Sequence, residues 1–532
     1  MTSGMREHQA GSAIGADPQR VVVVGGGIAG LATAALLASR GHEVDLVEKN
    51  DALGGRVGSI ERDGYRFDTG ASWWLMPEVF DHFFSLLGTS TEQEIDLAVL
   101  DPSYRVFFED HPEPIDLRPD RAHNRALFEA LEPGAGEGFD RYLESADEAY
   151  DLALRRFLYT NFDAPTSLLH PDIVRRSPKL GRLLTRSLES HVAARFSDDR
   201  LRQVLGYPAV FLGSSPGRAP SMYHLMSSLD LGDRVLYPQG GFTRLIEVVA
   251  ALAERHGARL HTGVPVTRIL TESQGRRARV TGVEVGTGAD AHRIPADVVV
   301  GAADLHHVET ALLPPALQTH PEKAWRRRSP GPGVVLAMLG VEGRVPELPH
   351  HSLFFVSDWG RNFGDIFGPD ARVPDPASVY VCKPSETDPT VAPAGCENLF
   401  VLVPVPADTA IGHGGADGQG SAQVERAADA AIDQVARWSG ATDLCDRIRV
   451  RHTMGPEDFE TQYHSWRGGA LGLEHNLRQS AFLRPSNVSG KVDGLLYAGA
   501  STVPGVGLPM CLISAELVLK RLTGDRSATM TR

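Results

Sequence analysis

Three closely spaced glycines and one acidic residue are the first side chains in this sequence that indicate a specific chemistry. Gly25, Gly27 and Gly30 form the pattern G-x-G-x-x-G, and Glu48 follows them. In this pattern the first glycine permits a tight turn, the second lets the backbone approach a pyrophosphate, and the third allows a helix to pack closely on a strand. An acid at this distance accepts hydrogen bonds from ribose hydroxyls. These residues therefore predict a dinucleotide-binding site.

The elements that must position these residues are visible on either side of them. Residues 21–24, four valines, predict a buried parallel strand; a helical segment runs to Arg40, and residues 43–47 predict a second strand. The amides and the dipole at the start of such a helix stabilise a phosphate. The alternative is a membrane span, because residues 21–38 are uncharged and reach the ~18 apolar residues that a span needs. The glycines and Glu48 argue against it. This stretch alone leaves NAD and FAD both open.

The composition is that of a soluble protein with more than one domain. The chain has 532 residues, 42% hydrophobic and 23% charged, with a formal net charge of −14. This balance predicts no global attraction to nucleic acid or to anionic lipid, and it leaves local basic patches open. The four cysteines are scattered without C-x-x-C spacing, which indicates neither a disulfide framework nor a metal site and suits a reducing cytosol. Residues 1–18 are polar and small, and predict a disordered tail rather than a signal peptide.

A second glycine pair follows soon after Glu48. Residues 53–56 read Leu-Gly-Gly-Arg, so Gly55 and Arg56 place flexible backbone and a fixed cation near the first site. A simple turn is the alternative, but in this position the motif favours FAD. From here the sequence resembles the flavoprotein amine oxidase and carotenoid desaturase group, and residues 68–72, which return the chain towards the cofactor, fit the same resemblance.

The resemblance is closest to the bacterial-type phytoene desaturases and extends from about residue 20 to residue 522. Its C-terminal part departs from the common pattern, with Val503 where many members have histidine and Met510-Cys511 where many have glycine and a small apolar residue. These changes leave the substrate more open than the cofactor. The segments that carry the resemblance, besides the N-terminal glycines, are 53–56, 237–241, 388–397, 468–485 and 498–514.

We expect an α/β fold in two parts. A discontinuous Rossmann-like FAD-binding domain is predicted for residues 19–72, 235–304 and 490–532. A substrate domain with a mixed sheet and a helical cap is predicted for residues 73–234 and 305–489. The fingerprint and the resemblance together predict the following cofactor-binding residues: Gly25, Gly27, Ala29, Gly30, Glu48, Lys49, Gly55, Arg56, Val266, Gly499, Gly507 and Met510.

The resemblance implies an activity on an apolar polyene. It implies desaturation of phytoene towards lycopene by successive removal of a hydride and a proton, with oxygen or a quinone-like compound as the electron acceptor. Alternatives are a related carotenoid desaturase, isomerase or ketolase, an amine oxidase, or a flavin-binding polyene carrier without catalysis. An amine oxidase is disfavoured because the C-terminal turn offers no aromatic pair to enclose the flavin.

The candidates for the catalytic base are titratable residues near the expected flavin. Glu474 and His475 are the preferred candidates, because they lie in a segment that matches the family. Each of the candidates also has an ordinary interpretation as a structural hydrogen-bond partner. The other candidates near the expected flavin are Arg56, Tyr463, His464 and Arg484.

Two further stretches have competing interpretations. Residues 155–188 mix arginines with large apolar residues, which fits either contact with a membrane surface or a solvated cap helix. Because a polyene resides in lipid, we expect a cytoplasmic protein attached peripherally to the inner face of the membrane. His350 and His351 suggest a metal site, but no acid or cysteine lies at ligand spacing from them, so no metal is predicted.

Overall fold

The computed structural model describes residues 17–162, 180–275 and 277–531. Nearly all of the predicted tail therefore lies outside the described residues. The strands are β1 (Arg20–Val24), β2 (Glu43–Val47), β3 (Ser59–Arg62), β4 (Tyr65–Asp68), β5 (Leu97–Val99), β6 (Tyr104–Phe108), β7 (His111–Leu117), β8 (Leu236–Pro238), β9 (Arg259–His261), β10 (Val266–Gln274), β11 (Arg277–Val285), β12 (His292–Pro295), β13 (Val298–Gly301), β14 (Gly333–Glu342), β15 (His351–Phe355), β16 (Val379–Cys382), β17 (Cys396–Val405), β18 (Ile448–Met454), β19 (Val492–Asp493) and β20 (Leu495–Tyr497).

Helices connect and cover these strands. They are α1 (Ile28–Ser39), α2 (Pro77–Leu86), α3 (Thr91–Glu94), α4 (Arg121–Leu131), α5 (Ala135–Arg156), α6 (Leu188–Ala193), α7 (Asp199–Gly206), α8 (Pro208–Phe211), α9 (Met226–Asp230), α10 (Phe242–Arg255), α11 (Leu305–Thr310), α12 (Glu322–Trp325), α13 (Trp359–Phe367), α14 (Ala422–Ser439), α15 (Pro456–Tyr463) and α16 (Leu508–Thr523).

A parallel sheet forms the centre of the first part of the molecule. Its order is β20-β13-β1-β2-β9, and every neighbouring pair is parallel. The four valines of β1 are at most 5% exposed, because both faces of this sheet are covered. Helix α1 packs against α10 and α16 in the same apolar core. Residues 21–38 are thus a strand, a turn and a helix of a Rossmann-like unit, and the membrane-spanning alternative is wrong.

The second part is built on a mixed sheet of order β18-β14-β17-β16-β15-β6-β7, in which the β15–β6 pair is parallel. Alternate residues of β14 point to opposite faces. Val335, Ala337 and Leu339 pack under α14, whereas Leu336 and Met338 pack on the other face with β4. The face opposite α14 is therefore available to line a cavity.

Helices cover the β6 end of this sheet. Residues of α4, α5, α6 and α7 pack in one core with β6, β7 and β15. The predicted α/β class, with a mixed-sheet substrate domain under a helical cap, is confirmed. Among the described residues no helix combines the length and the apolar character needed to cross a bilayer.

Candidate functional site: a dinucleotide cradle next to an apolar cavity

Two adjoining cavities lie where β1 and β13 end. The larger has a volume of about 750 Å³ and the smaller about 120 Å³. Gly27, Arg56, Ala302 and Asp304 line both of them. A crevice at the carboxyl ends of parallel strands is the usual place for a ligand in such sheets. The geometry therefore offers one continuous site with a narrow and a wide part.

The three glycines of the first turn have different surroundings, and these match the roles expected of the pattern. Gly25 has φ +108°, and a Cβ there would lie 2.8 Å from the Ala303 nitrogen. A Cβ on Gly30 would lie 1.9 Å from the Gly25 carbonyl oxygen, so Gly30 serves helix packing. A Cβ on Gly27 would meet only the Gly54 oxygen, at 3.9 Å, and would project into open space. No side chain caps α1, so its first amides, including that of Ala29, are available to an anion.

Glu48 lies in the smaller cavity and is 7% exposed. Its Oε2 accepts a hydrogen bond from the Gly26 N–H at 2.7 Å, and its Oε1 accepts one from the Asn50 N–H at 2.8 Å. A carboxylate has about four acceptor positions, so two remain for ligand hydroxyls. Lys49 and Val266 line the same cavity. This part of the site suits an adenosine with its ribose on Glu48.

Gly55 and Arg56 join the two cavities. Gly55 has φ +56°, and a Cβ there would lie 3.4 Å from the Gly27 Cα. The Arg56 guanidinium donates to the Ala470 carbonyl oxygen at 3.1 Å, which fixes the cation between the two cavities. Asp304, which the sequence analysis did not assign to the site, is buried beside it. Burial raises the pKa of Asp304, and the charge of Arg56 opposes that rise.

The C-terminal signature closes the larger cavity from the opposite side. Gly499 and Gly507 have φ of +113° and +121°, and both line the larger cavity together with Met510. Helix α16 begins after Gly507, again without a side-chain cap. Because α1 and α16 pack together and the first residues of both line the cavity, two helix N-termini provide positive partial charge to one ligand.

The rest of the larger cavity is apolar. Its wall comes mainly from β14, β15 and β17 and from the helical cap. Polar ligands would find few partners on this surface, whereas a long hydrocarbon would be covered by it. Representative lining residues are Trp73, Phe211, Leu336, Phe355, Phe363 and Leu402.

Glu474 was a preferred candidate for the base, but it is not one of the described residues that line the larger cavity. It is fully buried and its oxygens accept four hydrogen bonds. Two come from the Arg218 guanidinium, both at 2.7 Å, one from the Ser214 hydroxyl at 2.9 Å and one from the Asn476 amide at 3.0 Å. A carboxylate held in this way has no free position for a substrate proton, so the arrangement favours a positioning role.

His475 does line the larger cavity. Its Nε2 accepts a hydrogen bond from the Val506 N–H at 3.2 Å, so in the neutral ring Nδ1 carries the proton and donates to the Tyr223 oxygen at 2.6 Å. Burial lowers the pKa of His475 well below its usual value. A Cβ on Gly505 would lie 2.3 Å from the ring. The imidazole thus supports the turn before α16.

The other candidates for the base divide between the two sides of the site. Tyr463 and His464 line the smaller cavity, and the His464 ring stacks on His307 at 3.8 Å. The Arg484 guanidinium is buried and donates to the carbonyl oxygens of Ala500 at 2.6 Å and Thr502 at 3.2 Å. It therefore holds the C-terminal signature in place. Arg218, Ser214 and Tyr223 were missed, because no local pattern marks partners so distant in sequence.

The arrangement fits FAD. The open space at the Gly27 Cα, two uncapped helix N-termini and the Arg56 cation suit a pyrophosphate, and Glu48 suits a ribose. An isoalloxazine ring would lie against the Gly499 and Gly507 backbone, where a side chain would take its space.

Comparison with known proteins identifies the family. The profile described as flavin containing amine oxidoreductase matches residues 28–519. A carotenoid 3,4-desaturase of Haloarcula japonica is 40% identical over 505 residues, covering 95% of this chain and 98% of its own. A zeta-carotene-forming phytoene desaturase of Myxococcus xanthus is 36% identical, covering 95% and 94%. A 4,4'-diapophytoene desaturase of Staphylococcus haemolyticus is 30% identical, covering 95% and 99%.

Solved structures share the fold at low sequence identity. An oxidoreductase from Methanosarcina mazei superposes with a TM-score of 0.61 at 16% identity, covering 94% of this chain and all of that one. A putrescine oxidase variant gives 0.59 at 16% identity, covering 95% and 99%. The predicted resemblance to the bacterial-type desaturase group and the predicted FAD cofactor are confirmed. The chain therefore belongs to the flavin-containing amine oxidoreductase family and is an FAD-dependent oxidoreductase.

Proposed function

We propose that this enzyme desaturates a carotenoid precursor, and that its substrate is phytoene, which it converts towards lycopene. The observation that carries the proposal is the apolar cavity of about 750 Å³ that adjoins the cofactor cradle. The relatives named as carotenoid desaturases support the reaction class.

The protein's own residues have three tasks in this reaction. Bound FAD supplies the two-electron acceptor. The walls of the larger cavity orient the polyene through shape alone and exclude water. Arg56 and the N-termini of α1 and α16 would hold the pyrophosphate of the cofactor. Arg484 and His475 hold the C-terminal turn before α16 against the cavity. The final electron acceptor, which returns the cofactor to its oxidised form, is oxygen or a quinone-like compound.

A second candidate is a later desaturation, at carbons 3 and 4 of an already conjugated carotenoid. It is favoured by the 40% identity to the Haloarcula japonica protein. The two candidates differ in the substrate that reduces the flavin, so one assay separates them.

The test uses the FAD-loaded protein in lipid vesicles without oxygen. Each flavin takes only two electrons without an acceptor, so phytoene is expected to bleach the flavin absorption by a single desaturation. When oxygen or a quinone is then added, turnover should continue to coloured polyenes whose spectra count the desaturation steps. If phytoene leaves the flavin oxidised while a conjugated acyclic carotenoid bleaches it, the later desaturation is the function. If neither does, both assignments are wrong.

Peripheral attachment to the inner face of the membrane is the second part of the proposal. Among the described residues, the exposed large apolar side chains are Val99, Leu477, Phe482 and Leu483, which are 47–55% exposed. Three of these four lie in one short segment, and Phe482 also lines the larger cavity. An exposed apolar patch beside the opening of an apolar cavity gives a lipid-dissolved substrate a continuous path.

Basic side chains accompany this patch. Arg478 is exposed within it, and Arg182 is exposed next to Gly181, which lines the cavity. They would face lipid phosphates if the patch entered the bilayer surface. The stretch 155–188, for which the sequence left membrane contact and a solvated cap helix both open, includes residues 163–179, which lie outside the described residues.

Vesicle flotation tests the attachment. The double variant Leu477→Ser/Leu483→Ser changes exposed side chains that do not line the described cavity, and it is expected to lose most vesicle binding. Val99→Ser removes an equally exposed apolar side chain elsewhere and should bind as the wild type does. Equal binding of all three proteins would exclude this patch as the membrane contact.

A further inference from the structure

Three buried side chains with metal-binding atoms meet on the mixed sheet, away from the cofactor cradle. His351 of β15 and Cys382 of β16 are directly opposite each other in the antiparallel pair, and His350 precedes β15. One ligand atom from each residue lies within 4.8 Å of the other two. Their exposures are 2%, 0% and 2% for His350, His351 and Cys382. The sequence analysis predicted no metal because the cysteine is distant along the chain, but strand pairing brings it to the histidines.

The hydrogen bonds of the two rings leave one nitrogen of each without a partner. The Tyr380 hydroxyl donates to the Ser72 hydroxyl at 2.7 Å, so its oxygen accepts from His351 Nδ1, 2.9 Å away. His350 Nδ1 lies 2.7 Å from the Thr387 hydroxyl. In the described part of the chain, both Nε2 atoms are buried and have no hydrogen-bond partner.

This is the pattern that metal-binding histidines show. Such a histidine binds the ion through one nitrogen and donates the other N–H to an oxygen, which fixes the tautomer and the ring orientation. An ordinary buried histidine satisfies both nitrogens within the protein or with water. Two adjacent rings leave Nε2 unpaired next to a buried thiol, and a bound ion would give all three groups a partner.

A metal is bound by neutral imidazole and by thiolate, so binding of an ion would displace the proton of the Cys382 thiol.

We propose that His350, His351 and Cys382 bind one thiophilic transition-metal ion, Zn²⁺ or Cu⁺. Bonds of about 2.0–2.3 Å place ligand atoms about 3.3–3.8 Å apart, so the three atoms need to close by about 1 Å. Cu⁺ with two neutral imidazoles and one thiolate leaves the buried site uncharged, whereas Zn²⁺ leaves one positive charge. The donor set does not suit Mg²⁺ or Ca²⁺, which prefer oxygen.

The proposed metal site would stiffen one wall of the larger cavity. The His351 ring stacks on Trp73 with centroids 4.5 Å apart and planes 7° from parallel, and Trp73 lines the larger cavity. An ion at His351 would fix that ring and through it the Trp73 side chain. We assign the ion a structural role.

The test measures metal content and affinity on the full FAD-loaded protein. The protein is purified under reducing conditions, loaded with Zn²⁺ or with Cu⁺, dialysed against a weak chelator and assayed by mass spectrometry. We expect one equivalent per chain, an affinity reduced at least about 100-fold in Cys382→Ser and His350→Gln, and wild-type binding in Cys445→Ser, which alters an exposed free cysteine. Co²⁺ loading should add ligand-field bands at wavelengths longer than the flavin absorbs.

The proposal is overturned if the wild-type protein retains neither ion, or if Cys382→Ser retains as much metal as Cys445→Ser. Flavin content reports whether each variant is folded, and His350→Gln serves as the second variant if Cys382→Ser does not fold. Turnover is not needed for the result, so the metal site and the proposed desaturation are tested separately.

Discussion

The imidazole of His475 accepts a hydrogen bond from the Val506 N–H, with Nε2 and N 3.2 Å apart. These residues belong to different segments of the site, and their contact joins the turn before α16 to the segment that Glu474 anchors. Tyr223 on the other ring nitrogen completes the link to the helical cap. The ring therefore connects the cofactor cradle with the substrate cavity.

Replacing His475 should weaken cofactor binding. His475→Phe keeps an aromatic ring but leaves the buried Val506 N–H without an acceptor, which costs about 1–3 kcal/mol. We expect a lower FAD affinity in titrations of apo-protein, and His475→Gln, which retains an acceptor, should be closer to wild type. If both variants bind FAD normally but lose turnover, the ring acts as the proton acceptor instead.

Glu474→Gln should lower stability more than chemistry. Glu474 pairs with Arg218 through two bonds of 2.7 Å, and neutralising the buried partner is expected to lower the free energy of unfolding by about 2–3 kcal/mol. Turnover of the FAD-loaded variant should fall by less than about tenfold, whereas loss of a general base costs about 10²–10⁴-fold. Urea unfolding and anaerobic flavin reduction measure the two effects. A stable variant with a large rate loss would make Glu474 the base.

Two glycine substitutions separate cofactor binding from folding. Gly27→Ala places a methyl group in the open space of the cradle and should abolish FAD retention while the apo-protein unfolds as wild type does. Gly30→Ala places its Cβ 1.9 Å from the Gly25 oxygen and should destabilise the fold itself. In both purified variants, flavin absorbance measures FAD retention and thermal unfolding measures the stability of the fold. FAD retained by Gly27→Ala at the wild-type level would contradict the assigned pyrophosphate position.

Stability should fall as the solution becomes acidic below pH 6.5. Burial lowers the pKa of His224, His307 and His320 to about 4 each. Between pH 6.5 and 4 the unfolded chain therefore binds more protons than the folded one, and each histidine removes up to about 1.4 kcal/mol per pH unit. Burial raises the pKa of Asp68 and Asp230 to about 6, so below pH 6 these two carboxyl groups oppose the loss of stability. They are fewer than the three histidines, so a net loss is expected.

Urea midpoints at pH 7.5, 6.5, 5.5 and 4.5 measure this dependence. His224→Gln removes one titrating ring and should make the decline shallower. A midpoint that stays constant or rises on acidification would show that the buried carboxyl groups dominate.

The parts of the fold that the sequence predicted are those whose signals are local. Four valines, a glycine turn and an acid occur within residues 21–48, and each has its own physical reason to form a strand, a turn or a ribose contact. The cap and the mixed sheet were recognised by periodicity and by resemblance. Predictions of this kind need only residues that are close together in sequence.

Side-chain partners distant along the chain were not predictable. Arg218 and Glu474 pair although they are 256 residues apart in sequence, and Glu474 was proposed as the base only because it lies in a segment that matches the family. The same limitation separated Cys382 from His350 and His351, since only the register of β15 and β16 brings them together. Burial and hydrogen-bond satisfaction decide the roles of such residues, and both require the three-dimensional structure.

The cofactor cradle uses glycines from opposite ends of the chain, Gly25–Gly30 and Gly499–Gly507, and this has a consequence for biosynthesis. On the ribosome α1 emerges long before α16, which packs against it. The apolar face of α1 towards α16 therefore stays uncovered until late in translation, a state that invites aggregation. The two halves of the cradle can meet one FAD molecule only after residues 499–507 have been made, so completion of the flavin site is a late step in the synthesis of this chain.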